Sequence, residues 1–228
     1  DFSTAVKVMS RILNVRGTVL PTTNDIATLN AVLSDGEIIR GESSITKAGG
    51  VIDHVYITPS RVKPNEDVLK AIEEADYIIM GPGSLYTSII PNLVISKVSE
   101  KIRESNAKKI YVCNVMTQHG ETANYTVSDH IVAINKHVEE NIFDLVIANS
   151  REFDDSILSK YHKEKQEPVK IDQEKIKELG IKLIKNNDVG IVDNNTIRHN
   201  ADKVSELIYD YIIDDKPTMI YNKRWENK

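Results

Sequence analysis

Four short, mostly apolar runs alternate with helical segments, and this alternation constrains the fold more than any other feature of the sequence. The runs are Tyr77–Met80, Lys109–Cys113, Asp144–Ala148 and Ile181–Ile184. Between them, apolar residues recur at every third or fourth position, which is the period of an amphipathic helix. Strands that alternate with helices form right-handed βαβ crossovers and a mostly parallel sheet. The pattern therefore predicts a doubly wound α/β fold.

The first fifty residues are predicted to depart from this alternation, which begins at Val51 with a further strand-like run, Val51–Thr58. The residues from Phe2 to Leu13 have the spacing of an amphipathic helix, and Thr18–Pro21 is a predicted short strand. Asp35 and Gly36 lie between two apolar stretches, and an Asp-Gly pair supplies the positive φ angles of a tight hairpin turn. We therefore expect a β-hairpin inserted before the parallel sheet.

The domain prediction is one α/β domain over residues 1–228, because a chain of this length can bury a single core. Residues 151–170 are charged and are predicted to form a loop-like surface excursion. Beyond them, Asp172 is expected to cap a helix that Gly180 terminates, and Asn200 to cap the last helix.

Composition excludes several classes of function. The chain has 29 Lys and Arg against 34 Asp and Glu and no basic stripe, so the electrostatic signature of nucleic-acid binding is lacking. Its apolar runs are far shorter than the roughly 20 residues of a membrane-spanning helix. Cys113 is the single cysteine, and no signal segment opens the sequence. We expect a cytoplasmic protein that neither binds nucleic acid nor inserts into membranes.

The sharpest local signal is the loop Gly81–Ser88, which lies where a predicted strand ends and a helix begins. Glycines allow close approach of the backbone to phosphate, and a helix N-terminus offers free N–H groups. The loop matches none of the Walker A, GxGxxG or GxSxG motifs. Phosphate binding and a simple tight turn that needs Gly81 and Gly83 both remain open at this point.

A second polar loop, Asn114–Thr122, follows the next predicted strand. If the two strands are neighbours, Asn114 and Thr117 face the same crevice as Ser84, and such a lining suits sugar hydroxyls or a diphosphate. Ser128 is interpreted as a helix N-cap in preference to a catalytic residue. The histidines of this region have no spacing typical of a metal site.

Two further segments could contribute to the crevice. Thr22–Asp25 is either a third wall or an Asx-type turn at the entrance to the hairpin. Arg198, just before the last helix, either pairs with a phosphate through its fork of donors or is an ordinary surface residue.

These motifs resemble those of one family. Gly81–Asn92, Val112–Thr117, Gly120–Thr122 and Ser128–His130 are similar to the gluconeogenesis factor family (YvcK-like proteins, UPF0052), as are Val15–Pro21 and Arg198-His199. The resemblance implies a Rossmann-like fold shared with the 2-phospho-L-lactate transferases of deazaflavin-coenzyme synthesis. It also implies binding of UDP-N-acetylglucosamine by cytoplasmic proteins that govern cell shape and envelope growth on gluconeogenic carbon sources.

Carried over to this sequence, the resemblance implies a ligand site and no assigned catalytic residue. The family also begins with a strand and a Gly-Gly-x-Thr-Gly loop, followed by acidic residues near a metal, that this sequence does not contain. Any Mg²⁺ is therefore expected to arrive with the nucleotide diphosphate. The expected ligand-binding residues are Gly81, Pro82, Gly83, Ser84, Thr87, Ser88, Asn114, Thr117, Arg198, Thr23 and Asn24.

Three hypotheses follow. The first is a regulator that binds a nucleotide sugar without turnover, and the second is a phospholactate-type transferase that uses a nucleoside diphosphate donor. The third is a domain that acts through protein contacts, as a homo-oligomer or through the tail Lys216–Lys228, which contains Tyr221 and Trp225.

Overall fold

A four-stranded parallel sheet forms the centre of the fold. A computed structural model describes residues 2–215 of the chain. The sheet has the order β4-β5-β6-β7, and each neighbouring pair is parallel. Consecutive strands therefore lie side by side, as the βαβ pattern predicts. The four strands are β4 (Tyr77–Met80), β5 (Lys108–Val112), β6 (Leu145–Asn149) and β7 (Lys182–Asn186).

Helices cover both faces of this sheet. Alternate side chains of β5 point to opposite faces, so Tyr111 packs in the same cluster as Ile131, whereas Ile110 packs with Val204. The doubly wound α/β prediction is confirmed. The helices of this region are α3 (Glu66–Glu74), α4 (Ile90–Leu93), α5 (Ser96–Glu104), α6 (Val127–Val138), α7 (Asp155–Lys163), α8 (Gln173–Glu178) and α9 (Ala201–Asp215).

The N-terminal part forms a separate antiparallel sheet with the order β2-β1-β3. The predicted hairpin is confirmed, and Gly36 at its turn has φ of 89°. The predicted strand Thr18–Pro21 is wrong. Pro21 has no N–H for a ladder, and its carbonyl accepts a hydrogen bond from the Asn65 side chain. The elements are α1 (Phe2–Ile12), β1 (Thr28–Leu33), β2 (Ile38–Arg40), α2 (Glu42–Ala48) and β3 (Ile52–Thr58).

β4 is an edge strand and is less buried than its apolar sequence suggests. Among the described residues it pairs only with β5, and Ile79 is 46% exposed. A strand buried on both faces is found instead in β6, every residue of which is buried.

The segment 151–170 is more ordered than a surface loop. It contains α7, whose Ile157 and Tyr161 are buried. The C-terminal region adds a hairpin of β8 (Gly190–Asp193) and β9 (Thr196–His199) that the sequence reading missed.

The last helix begins as predicted, because Asn200 Oδ1 accepts the Lys203 N–H at 3.2 Å. The tail Lys216–Lys228 lies outside the described residues. Within residues 2–215, none of the helices has the length and apolar character needed to cross a membrane.

Candidate functional site

A cleft of about 460 Å³ opens at the carboxyl ends of β4 and β5. Its walls are Pro82–Ser84 after β4, Asn114–Gln118 after β5 and Thr196–His199 of the β8–β9 hairpin. Ligands of open α/β sheets bind at this end of the strands. The two polar loops predicted to share a pocket therefore do so, and Arg198 lines the same space.

The two glycines of the first loop have different roles. Gly81 has φ of +86°, and a Cβ there would lie 2.6 Å from the Val112 carbonyl oxygen. The geometry of the tight turn is therefore sufficient to explain the glycine at position 81. A Cβ on Gly83 would meet Ser88 Cβ at an ordinary 3.5 Å, and its φ lies outside the left-handed region. The fold does not require glycine at position 83, and the absence of a side chain there leaves space for a ligand to approach.

Asn114 holds the first loop in place. Its Nδ2 donates to the Gly83 carbonyl at 2.8 Å, and its Oδ1 accepts the Gly83 N–H at 3.2 Å. The side chain thus satisfies both backbone groups of one residue across the strand ends. Asn114 lines the cleft as predicted, and its two hydrogen bonds position Gly83.

Buried Glu121 explains why part of the predicted loop does not reach the cleft. Glu121 is 3% exposed and accepts hydrogen bonds from the Tyr86 N–H at 2.9 Å and the Thr87 hydroxyl at 2.8 Å. Residues Leu85–Ile89 form a π-helical turn that directs Thr87 to this carboxylate. Ser88 lines a different, largely apolar cavity beside β4. Neither Thr87 nor Ser88 lies in the cleft.

Hydroxyl donors of the cleft come from Ser84 and Thr117. Gln118 Nε2 donates to Ser84 Oγ at 2.9 Å, and the Glu167 N–H donates to Thr117 Oγ1 at the same distance. In both cases the hydroxyl oxygen accepts, so its own proton remains available for a ligand oxygen. Gln118 and Gln166 extend the uncharged polar lining and were not among the predicted site residues.

The β8–β9 hairpin carries Arg198 to the cleft. Its turn residues Asn194 and Asn195 both have positive φ, as a two-residue hairpin loop requires. Ile197 is buried in a cluster with Phe153 and Tyr161, and its N–H donates to the Tyr161 hydroxyl at 2.7 Å.

Arg198 is exposed, and it is the only Lys, Arg, Asp or Glu among the described residues that line the cleft. No ion pair between described residues involves Arg198. The cleft therefore combines a cationic side chain with uncharged polar groups, which favours an anionic ligand.

His199 is a lining residue that the sequence reading did not select. Its Nε2 lies 3.1 Å from the Cys113 carbonyl oxygen, which can only accept, so Nε2 carries the proton. Burial lowers the pKa of His199, while the hydrogen bond to Cys113 opposes that shift. The neutral imidazole therefore leaves Nδ1 as an acceptor. The sequence signal that could have identified His199 is the pair Arg198-His199 at the end of a strand.

Thr23 and Asn24 are absent from the lining of the cleft, and their contribution to a third wall of the ligand site stays a prediction. The Thr23 hydroxyl donates to the Lys63 carbonyl at 2.6 Å and accepts the Asp25 N–H at 3.0 Å, which is the alternative turn reading. Asn24 Oδ1 accepts the N–H and hydroxyl of Ser3, at 3.0 and 2.7 Å. These polar groups hold the N-terminal segment together.

Ser128 is not the N-cap of α6, whereas Asp172 occupies the predicted N-cap position of α8. Thr126 is the N-cap of α6, with a complete capping box to Asp129. Ser128 donates its hydroxyl to the Asp172 carboxylate, and no side-chain capping bond from Asp172 to α8 exists. Burial would raise the pKa of Asp172, but hydrogen bonds from Ser128 and Thr126 outweigh it and lower that pKa.

The residues of the cleft do not fit a metal held by the protein. Mg²⁺ prefers carboxylate oxygens, and no described residue that lines the cleft is acidic. Within residues 2–215, no group of three or more His, Cys, Asp and Glu side chains could hold a metal ion.

Comparison with known proteins decides the family. The family described as "2-phospho-L-lactate transferase CofD" matches residues 1–189. The chain belongs to the CofD family. This CofD-family chain is 47% identical over 208 residues to the "Gluconeogenesis factor" of Halalkalibacterium halodurans, covering 91% of this chain and 64% of that protein. It is 44% identical over 212 residues to the "Gluconeogenesis factor" of Bacillus subtilis, covering 93% of this chain and 67% of that protein.

A solved structure supports the same assignment. The CofD-family chain superposes on the crystal structure of a UPF0052 family member from Bacillus halodurans with a TM-score of 0.88 at 47% identity. The match covers 91% of this chain and 67% of the solved one. The sequence-based resemblance and the Rossmann-like fold are therefore confirmed. The chain spans about two thirds of the length of these relatives.

Proposed function

We propose that this domain is a cytoplasmic regulator that binds a nucleotide sugar, UDP-N-acetylglucosamine or a close analogue, and acts in gluconeogenic growth and cell shape. The relatives named gluconeogenesis factor support the regulatory role. The CofD family supports a nucleotide-related ligand. The ligand-binding residues under this proposal are the cleft residues Gly83, Ser84, Thr117 and Arg198, with Asn114 positioning the loop.

The observation that carries the proposal is that Arg198 lines the same cleft as Gly83 and Ser84. A guanidinium forms charge-assisted and often bidentate hydrogen bonds with phosphate oxygens. The N–H group of Ser84, which lines the cleft, makes no hydrogen bond within the described part of the chain, so it is available to the same diphosphate. An anion held between these groups has no acidic neighbour in the cleft lining.

The rest of the lining suits a sugar. Asn114, Gln118, Gln166 and Thr196 provide amides and hydroxyls without charge. Sugar hydroxyls are recognised by such paired donors and acceptors. The cleft volume of about 460 Å³ falls within the usual range for small-molecule sites.

A transferase is the second candidate, because the matching family is named for one. Transfer of the phospho-group from a nucleoside diphosphate donor to an acceptor would break the bond between the two phosphates and release a nucleoside monophosphate. A regulator would bind its nucleotide sugar and leave it intact, so product analysis separates the two.

The test is a calorimetric titration of the chain with UDP-N-acetylglucosamine, followed by chromatography of the recovered nucleotide. We expect saturable binding with a stoichiometry near one and an unchanged ligand. Free N-acetylglucosamine, which lacks the diphosphate, is the matched control and should bind far more weakly. Absence of binding would refute the proposal, and release of nucleoside monophosphate would favour the transferase.

A further inference from the structure

A second cavity, of about 450 Å³, lies at the carboxyl ends of β6 and β7. It is lined by Asn149–Glu152 at the end of β6, by Lys185 of β7 and by the segment Pro168–Ile171. The same edge of the sheet carries the cleft over β4 and β5. Ligands bind along this edge in open α/β sheets, so the second cavity occupies a functional position of the fold.

Positive charge is concentrated in this cavity. Arg151, Lys170 and Lys185 line it, against one acidic residue, Glu152. None of the three cations forms an ion pair with a described residue. Lys185 Nζ instead lies 3.2 Å from the neutral Gln173 Oε1. Such a cluster is unexpected in a chain with a net charge of -5, where carboxylates outnumber cations.

The floor of the cavity is fixed by hydrogen bonds. Asn149 is buried, donates from Nδ2 to the Arg151 carbonyl at 3.2 Å and accepts the Gly190 N–H at 2.9 Å. The Ser150 hydroxyl donates to Asn187 Oδ1 at 2.7 Å. The backbone that carries Arg151 is therefore held in position before any ligand arrives, which lowers the entropic cost of binding.

We propose that the second cavity binds a small oxyanion with two negative charges, as found in phosphate monoesters and dicarboxylates, and acts as an effector site for the cleft. Two ammonium groups and one guanidinium around one cavity match the charge of such a ligand, and the fork of Arg151 suits either oxyanion. Lys170 lies in the segment Pro168–Ile171, and Lys185 lies in β7. A dianion would bridge their two ammonium groups, which repel each other when no anion is bound.

The wall between the cavities provides the coupling. Gln166 lines the cleft, and residues 168–171 line the second cavity. Between them, Glu167 pairs with Thr117 of the cleft in both directions, through a 2.7 Å bond to its carbonyl and a 2.9 Å bond from its N–H. Val169 donates to the Val115 carbonyl at 3.0 Å. An anion that holds Lys170 stabilises this wall and, with it, the position of Thr117.

The binding test uses inorganic phosphate and malonate as separate probes in calorimetric titrations of the whole chain. We expect one or both to bind at millimolar concentration or better. The double variant Lys170→Gln/Lys185→Gln should weaken that binding at least about tenfold. The charge-matched control Lys47→Gln/Lys97→Gln changes exposed lysines elsewhere and should have no effect. Thermal unfolding of each variant confirms that it is folded.

Arg198→Ala separates this proposal from that of the nucleotide-sugar cleft. Probe binding should persist in Arg198→Ala, because Arg198 lines the other cavity. Loss of probe binding in Arg198→Ala, its retention in Lys170→Gln/Lys185→Gln, or no binding of either probe at about 10 mM would each overturn the second site. A probe that binds alone identifies the ligand as phosphate-like or carboxylate-like.

The coupling, unlike the anion binding, rests on the proposed function of the cleft. Saturating probe should raise the affinity for UDP-N-acetylglucosamine about fivefold or more in the unmodified chain, the lower end of ordinary allosteric coupling. It should leave the affinity of Lys170→Gln/Lys185→Gln unchanged. An equal affinity with and without probe in the unmodified chain would overturn the effector role.

Discussion

Two segments of this chain were each predicted to line the ligand site, and they lie in different surroundings in the structure. Gly81–Ser84 and Thr22–Asp25 both follow predicted strands and both offer hydroxyls to a ligand. The first reaches a cleft shared with Asn114 and Arg198. The second contacts α1 and the Lys63 carbonyl and is absent from the cleft lining. The polarity of the two segments alone therefore does not predict which of them lines the cleft.

The difference lies in what precedes each segment. Gly81 follows a true strand whose neighbour β5 is parallel, so the loops after both strands emerge at one edge. Thr22 follows a stretch that makes no ladder, and its carbonyl accepts the Asn65 N–H at 2.8 Å. Loops meet when their strands are adjacent and parallel.

The largest effect is expected from adding one methyl group at Gly81. Gly81→Ala combines a left-handed φ with a Cβ that would lie 2.6 Å from the Val112 carbonyl oxygen, so it should cost at least about 1–3 kcal/mol of unfolding free energy. Gly83→Ala adds the same methyl in ordinary contact and should cost under about 0.5 kcal/mol. Chemical denaturation of both variants measures the difference.

Affinity should follow the opposite order in variants that remain folded. Gly83→Ala, and more strongly Gly83→Val, should weaken UDP-N-acetylglucosamine binding, because a side chain blocks close approach of the diphosphate to the backbone. Unchanged affinity in Gly83→Val would show that the ligand does not approach Gly83 closely.

A pH dependence of stability is expected from three histidines that are buried or partly buried in the folded chain. Burial lowers the pKa of His130, His137 and His199 in the folded state. As the pH falls, these histidines bind protons near pH 6.5 in the unfolded chain, whereas in the folded chain they bind protons only at a lower pH. The unfolding free energy should therefore fall as the pH is lowered from about 7.5 to about 5.5.

The segment Thr22–Asp25 contains no histidine, so a variant in this segment serves as a control for the predicted pH dependence of stability. His199→Asn should reduce the slope of stability against pH, and Asn24→Ala should leave it unchanged. A stability that is constant or rises between these pH values would contradict the account of the buried histidines.

Much of the fold could be predicted because local patterns dominate it. The apolar runs predict the parallel strands, Asp35-Gly36 predicts the hairpin, and Asn200 predicts the cap of α9, where its side chain accepts the Lys203 N–H. The β8–β9 hairpin was missed although Asn194-Asn195 is a usable turn signal. The exposure of Ile79 could not be predicted, because an edge position depends on strand order across the whole sheet.

The site was predicted in part for the same reason. Gly83, Ser84, Asn114, Thr117 and Arg198 lie together because strand adjacency brings them there. Thr87 was assigned to the ligand, but its hydroxyl is bound by Glu121, which lies 34 residues away in the sequence. No local pattern reveals which hydroxyl a distant buried carboxylate will use.

A smaller effect is expected at Asn24. Asn24→Ala removes two hydrogen bonds to Ser3 at the start of α1 and should lower the unfolding free energy by about 1 kcal/mol. Its affinity for UDP-N-acetylglucosamine should equal that of the unmodified chain, because Asn24 is absent from the cleft lining. A weakened complex in a stable Asn24→Ala variant would show that Asn24 contributes to the ligand site.

The most direct test of the central claim is the affinity of Arg198→Ala for UDP-N-acetylglucosamine, measured by calorimetry beside Arg40→Ala, which changes an exposed arginine of β2. If Arg198 holds a phosphate, its loss should cost about 1.5–3 kcal/mol, or roughly ten- to hundredfold in affinity, and Lys should substitute poorly because it lacks the planar fork. Arg40→Ala should bind like the unmodified chain. Unchanged binding by a folded Arg198→Ala variant would contradict the claim that this cleft is the nucleotide-sugar site.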